Sequence, residues 1–225
     1  MAVLEVRGLT KRFGEVTALR EVSFSLDRGE IVGVLGPNGA GKTTLIHSIL
    51  GLIKPTSGRI TLFGKPMDGG RTELLKRMNF ASNYVSLPFS LTPFENLMVY
   101  ALMYEVPEPA KRCDEVLGLF GIASLRDKRT RALSSGQMMR LCLAKAMING
   151  PDILLLDEPT AGLDPETARN TRELLKRLSS ETGLSVLYTS HNLREVQEVA
   201  GRVLILQEGE VVVQGPSAEL FGRYQ

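Results

Sequence analysis

The feature that most narrows the possible folds is the octapeptide Gly36-Pro37-Asn38-Gly39-Ala40-Gly41-Lys42-Thr43. It directly follows a compact apolar run, Ile31-Val32-Gly33-Val34-Leu35, of the kind that forms a buried strand. It precedes a stretch, residues 43–50, that reads as a helix stopping near Gly51. G-x-x-x-x-G-K-T between a strand and a helix is the pattern of a phosphate-binding loop. The glycines let the backbone fold tightly, so that successive N–H groups point at phosphate oxygens. The helix N-terminus adds partial positive charge at the same place. Lys42 supplies a full charge, and the Thr43 hydroxyl can ligate Mg²⁺. A chance glycine-rich turn is the bland alternative, and the strand and helix on its two sides argue against it.

A second constellation reinforces the first. Leu154-Leu155-Leu156-Asp157-Glu158 is an apolar strand ending in two acids. Such a strand delivers Asp157 beside the loop, where it can hold Mg²⁺ directly or through water. Glu158 is aimed elsewhere by the strand's alternation and can polarise an attacking water. Two solvated acids at a strand end would look the same without the loop upstream. Leu133-Ser134-Ser135-Gly136-Gln137 opens another helix, and offers a hydroxyl and a free N–H at a helix N-terminus. It reads either as an ordinary Ser cap or as a second anion site. One nucleotide has one γ-phosphate, so a second site would serve the nucleotide of another copy.

Between these motifs the chain alternates strand and helix, which implies a mostly parallel sheet covered on both faces. Strands are expected at 2–6, 22–26, 57–63, 153–156 and 186–189, and a hairpin at 203–206 and 211–213. The N-terminal strands and that hairpin are expected to form a smaller antiparallel part. Residues 84–150 read as a helical insertion, with helices at 110–120, 136–149 and one opened by the capping box Thr92-Pro93-Phe94-Glu95. A helix started by Asp164-Pro165-Glu166 runs to about Ser180.

Together these motifs resemble the ATP-binding cassette family, the nucleotide-binding subunits of ABC transporters. LSSGQ upstream of ILLLDEPTAGLDP, followed by Thr189-Ser190-His191, carries the resemblance, which covers nearly the whole chain. It implies an α/β fold: a RecA-like P-loop core with an antiparallel β subdomain and an inserted helical subdomain, all within a single domain 1–225. It implies ATP and Mg²⁺ as ligands, and hydrolysis of ATP by two cassettes paired head to tail. Residues 36–43 and Thr44 would then surround the phosphates. Thr43 and Asp157 would hold the metal, Glu158 would be the general base and His191 would contact the γ-phosphate. Ser134, Gly136 and Gln137 would act across the dimer, and Ala161-Gly162-Leu163-Asp164 would link the two sites. Phe13 sits where an aromatic ring stacks on adenine, with a core aromatic as the alternative. His47 is expected to be structural.

Two positions depart from the family pattern. The family's glutamine in the loop entering the helical subdomain is replaced by Asn83, a shorter amide expected to reach the metal. Ser135 stands in place of the first signature glycine, so its side chain must point away from phosphate.

The sequence also speaks to partners. Residues 97–104 are apolar on every helical face, which a small subdomain can hardly bury. Part of this helix, with Tyr84, Leu87, Phe89 and Met98, is expected to form a groove for a short helix of an integral membrane subunit; an internal core is the alternative. With 27 basic and 25 acidic side chains, a net charge of +2 gives no case for nucleic acid. No apolar stretch approaches the roughly 20 residues of a spanning helix. The expected placement is therefore peripheral, on the cytoplasmic face of the inner membrane. The two cysteines, Cys113 and Cys142, have no metal-ligand spacing and read as small core residues. The expected function is a motor for transport, in the export direction and as a homodimer. The alternative is a soluble ATPase of the same family in assembly or maintenance. A P-loop kinase or GTPase lacks support, since no guanine-reading Asn-Lys-x-Asp is present.

Overall fold

The computed structural model describes residues 1–67, 71–82 and 87–222. Among the described residues, ten strands form two sheets. In chain order they are β1 (Ala2–Phe13), β2 (Val16–Asp27), β3 (Ile31–Leu35), β4 (Ser57–Leu62), β5 (Lys65–Pro66), β6 (Met78–Ser82), β7 (Ile153–Asp157), β8 (Ser185–Ser190), β9 (Arg202–Gln207) and β10 (Glu210–Pro216). The α-helices among the described residues are α1 (Lys42–Ile49), α2 (Arg71–Leu75), α3 (Pro93–Met103), α4 (Pro109–Leu119), α5 (Ser135–Ala146), α6 (Pro165–Thr182), α7 (Leu193–Val199) and α8 (Ser217–Phe221).

The larger sheet has the order β10-β9-β3-β8-β7-β6, with every pairing parallel except β10 on β9. Its strands are apolar on both faces, as a parallel sheet covered on both sides requires. Alternate residues feed two different cores. Val32, Val34, Leu155 and Leu187 pack with α1 and the smaller sheet. Leu154, Leu156, Val186 and Tyr188 pack with the helices of the opposite face. This two-residue alternation follows from the pleat.

The smaller sheet, β2-β1-β4-β5, is antiparallel. Here the sequence expectation needs correcting. The C-terminal hairpin does not join the N-terminal strands; β9 pairs in parallel with β3, and β10 forms the edge of the large sheet. The reason lies in its burial: Val203, Leu204 and Leu206 are all fully buried, and face both cores. The N-terminal strands are also much longer than expected, each spanning twelve residues with register shifts along the pairing.

The helix caps behave as their chemistry dictates. Thr92 accepts from the Glu95 N–H and the Glu95 side chain accepts from the Thr92 N–H, closing the capping box. Asp164 accepts from the Thr167 N–H at the start of α6, and this bond is the main cause that lowers its pKa. Such a cap stabilises a helix by about 1 kcal/mol. Cys113 and Cys142 are buried in the helical core. Burial pushes the Cys113 thiol up to about 11 and raises that of Cys142.

Candidate functional site

Every strand that matters to the site ends at one edge of the large sheet. The registers Leu35↔Ser190, Asp157↔Thr189 and Ser82↔Asp157 place the C-terminal ends of β3, β8, β7 and β6 side by side. This is where open parallel sheets bind ligands. The chain leaves β3 at Leu35, forms the loop and enters α1 at Lys42. The loop needs glycine at Gly41, which has φ +106° and sits so close to β2 that a Cβ would come within 2.6 Å of the Ala18 carbonyl.

Most of the loop and both acids line one pocket of about 310 Å³, with Asn38, Gly39, Gly41, Lys42, Thr43, Thr44, Asp157, Glu158 and Ala18 in its wall; Gly36, Pro37, Ala40 and His191 are not among its lining residues. Lys42 is only 5% exposed. Its Nζ donates to the Gly36 and Pro37 carbonyls at 2.7 and 3.1 Å, and pairs with Glu158 at 3.2 Å. A cation this buried requires such a set of acceptors. Thr43 Oγ1 donates to Asp157 Oδ2 at 2.8 Å. Glu158 Oε2 accepts from His191 Nδ1 at 2.9 Å; a carboxylate can only accept, so the imidazole carries its proton on Nδ1. Glu158 is also one of the few non-glycine residues with positive φ, at 48°. Backbone held in this region by its surroundings is a recurrent property of functional sites.

Thr189 carries a role that sequence reasoning missed. Thr189, fully buried at the end of β8, donates its hydroxyl proton to Asp157 Oδ1 at 2.7 Å and accepts the Glu158 N–H at 3.2 Å. It thereby orients both acids. The legible signal was a hydroxyl residue ending an otherwise apolar strand, directly before Ser190-His191.

Other expected site residues lie elsewhere. Ser134, Gly136, Gln137 and Phe13 are not among the residues lining the pocket. Ser134 caps α5: its Oγ accepts from the Gln137 N–H at 3.3 Å, and the Gln137 side chain accepts from the Ser134 N–H at 3.1 Å. The hydroxyl proton of Ser134 is not used in this pair. Gly136 is fixed by packing, since a Cβ there would meet the Thr167 methyl of α6 at 2.6 Å. Phe13 is 48% exposed, which removes the core-aromatic alternative, and carries Lys11 Nζ 4.7 Å from its ring centre. Asn83 lies outside the described residues, as does Tyr84. His47 makes an edge contact with Phe80.

The apolar helix resolves into two faces. Leu97 and Ala101 are buried, whereas Val99, Leu102 and Met103 are exposed, together with the nearby Phe89. Met98 is half-buried against the helical core. Leu87, expected in the groove, is instead a core residue at 1% exposure. Among the described residues, no helix is long and apolar enough to cross a membrane.

The family model described as ABC transporter matches residues 19–161. An uncharacterised ABC transporter ATP-binding protein of Bacillus subtilis is 40% identical over 93% of this chain and 68% of its own length. The methionine import ATP-binding protein of Cupriavidus metallidurans is 36% identical over 99% of this chain and 68% of its own. The Nod factor export ATP-binding protein I of Ralstonia nicotianae is 35% identical over 97% of this chain and 68% of its own. Among solved structures, a subunit of the ABC transporter complex cbiONQ from Clostridium perfringens is similar with a TM-score of 0.91, at 33% identity, over 98% of this chain and 91% of that one. A dimeric post-hydrolysis cassette bound to ADP and Pi is similar with a TM-score of 0.83, at 29% identity, over 95% of this chain and 98% of that one. Fold, site and relatives agree: the chain belongs to the ABC transporter family, as an ATP-binding subunit that hydrolyses ATP.

Proposed function

We propose that this subunit is a motor of head-to-tail cassette pairs that drives an integral membrane partner. The observation that carries this reading is the split of the phosphate-binding groups. Lys42, Thr43, Asp157 and Glu158 share one pocket, while Ser134, Gly136 and Gln137 stand outside it at the start of α5. A second copy would bring its own α5 terminus to the γ-phosphate held here. The cassette of known structure that is dimeric with ADP and Pi supports this arrangement.

The residues then take the following roles. Residues 36–43 and Thr44 wrap the phosphates, and Phe13 offers its exposed face to the adenine. Thr43 and Asp157 fit Mg²⁺: they are hard oxygen donors 2.8 Å apart in the pocket wall. Among the described residues no cluster of three metal-ligating side chains exists. Mg²⁺ commonly binds through one or two protein oxygens, substrate phosphates and water. When bound, the ion would neutralise phosphoryl charge; Asn83 is proposed to add an amide oxygen through water. Glu158 accepts a proton from water as its oxygen attacks the γ-phosphorus. The bond to the β-phosphate oxygen breaks, leaving ADP and phosphate. Lys42 holds the charge that develops, and His191 steadies Glu158 and the γ-phosphate. Catalysis of this kind is mostly positioning and electrostatics.

Thr189 tests the metal assignment. Thr189→Val removes a hydrogen bond to a charged group, worth about 1.5–3 kcal/mol. Hydrolysis is expected to need more Mg²⁺ for half-maximal rate, and the maximal rate should fall about tenfold or more. Steady-state phosphate release across a Mg²⁺ titration checks this, and an unchanged titration curve would count against it.

The whole chain, 1–225, is proposed to act as one ATPase domain with a helical subdomain at 84–150, in homodimers on the cytoplasmic face of the inner membrane. The exposed side of α3, with Phe89, the half-buried Met98 and Tyr84, which lies outside the described residues, is proposed to receive the membrane subunit. The surroundings of LSSGQ favour export; relatives in both directions share this cassette, and cargo contacts belong to the membrane partner. Met98→Asp or Phe89→Asp should keep basal ATPase yet lose a membrane protein that copurifies with the wild-type chain from detergent extracts. Retention of that protein would contradict the groove. Copurification of no membrane protein by the wild type would favour the soluble assembly role.

A further inference from the structure

Behind the chemical face lies a second polar cluster, centred on Glu195 of α7, whose side chain is 17% exposed. Glu195 Oε2 accepts from Ser190 Oγ at 2.8 Å. Ser190 Oγ itself accepts the Asn192 N–H at 3.0 Å, so its single proton is committed to Glu195. The Ser190 carbonyl accepts the Gly36 N–H at 3.2 Å, tying the same turn to the phosphate loop. Glu195 Oε1 lies 3.8 Å from Arg172 of α6, a buried guanidinium that also pairs with Glu198 at 2.6 Å. The buried Tyr188 hydroxyl shares a 2.6 Å hydrogen bond with Thr160 Oγ1, just past Glu158. Burial is the main cause that raises the Tyr188 pKa, and the facing Glu195 charge adds to it.

One carboxylate therefore faces three elements. These are the turn that carries His191, the turn that follows Glu158 by way of Tyr188 and Thr160, and helix α6, whose cap is Asp164. A buried ion pair adds little net stability compared with apolar packing. Here Glu195 instead bonds the turn that carries His191, and its charge bears on Tyr188, whose hydroxyl meets Thr160.

We propose that Glu195 is a positioning residue for ATP hydrolysis, which fixes residues 190–192 so that His191 stays on Glu158, and keys that turn to residues 160–164 and α6. The inference rests on the reading that Glu158 and His191 serve the reaction. Displacing a group by about 1 Å costs on the order of 10²-fold in rate.

The test is a double-mutant cycle on the purified full chain, with ATP turnover measured beside ATP affinity. Glu195→Ala should lower kcat about tenfold to a hundredfold with KM for ATP nearly constant. Glu195→Gln, whose amide oxygen still accepts from Ser190, should recover much of that loss. In a His191→Ala background, Glu195→Ala should cost less than about twofold more, because both changes break one unit. Ser190→Ala removes only the hydroxyl and carries the same comparison if Glu195→Ala folds poorly. Equal losses in both backgrounds, or full turnover by Glu195→Ala, would overturn the inference while leaving the site reading intact. Full turnover by His191→Ala itself would overturn that reading, and the inference with it.

Discussion

Replacing Glu158 with glutamine should slow ATP hydrolysis about 10²- to 10³-fold while ATP stays bound between two closed copies. Glutamine has the same shape, so its side-chain oxygen can still meet Lys42, which lies 3.2 Å from Glu158 in the native chain. The amide cannot take up the proton that water must lose, so the base is removed and the pocket is kept. The change also deletes a negative charge from the wall facing the phosphates, which strengthens the ATP-bound state electrostatically. Phosphate release and size-exclusion chromatography in Mg-ATP measure the two halves of the prediction. Fast turnover by the variant would refute the base assignment.

Lys42→Ala should weaken ATP binding roughly 100-fold or more, a loss of about 3 kcal/mol. Among the described residues lining the pocket, Lys42 is the only full positive charge, and it is held by the Gly36 and Pro37 carbonyls close to where phosphates would lie. A charge-assisted hydrogen bond in a partly desolvated site is about twice as strong as a neutral one. The backbone N–H groups and the N-terminus of α1 would remain, so binding should weaken without disappearing. Titration of a fluorescent ATP analogue checks the affinity, with a melting curve as control for the fold. Wild-type affinity in this variant would mean that backbone dipoles alone hold the phosphates.

Much of the site was legible because its residues are local in sequence. The loop 36–43 carries its own glycines, lysine and helix start, and Asp157-Glu158 ends an unmistakable apolar run. What sequence could not place were contacts made across the sheet. Thr189 meets Asp157 only because β7 and β8 lie side by side in register. Glu195 meets Ser190 because α7 folds back after a short turn. The place of the hairpin β9–β10 is hidden for a related reason: its short continuous apolar runs suit a separate ribbon as well as a core strand, and only pairing with β3 decides between them. The burial of Leu87 leaves no mark in the sequence, because a single leucine near a loop carries no periodicity. The two faces of α3 were likewise hidden, since every residue from 97 to 104 is apolar and burial alone separates them.

Each reaction chamber is proposed to be completed by a neighbouring copy, which supplies Ser134 and Gly136. The most direct measurement is ATP turnover per molecule as a function of protein concentration, with the oligomeric state followed in parallel by analytical ultracentrifugation in Mg-ATP. Turnover should be poor in dilute solution, climb steeply as copies meet and level off when they are paired. Full, concentration-independent turnover by a chain that sediments as a monomer would contradict the account.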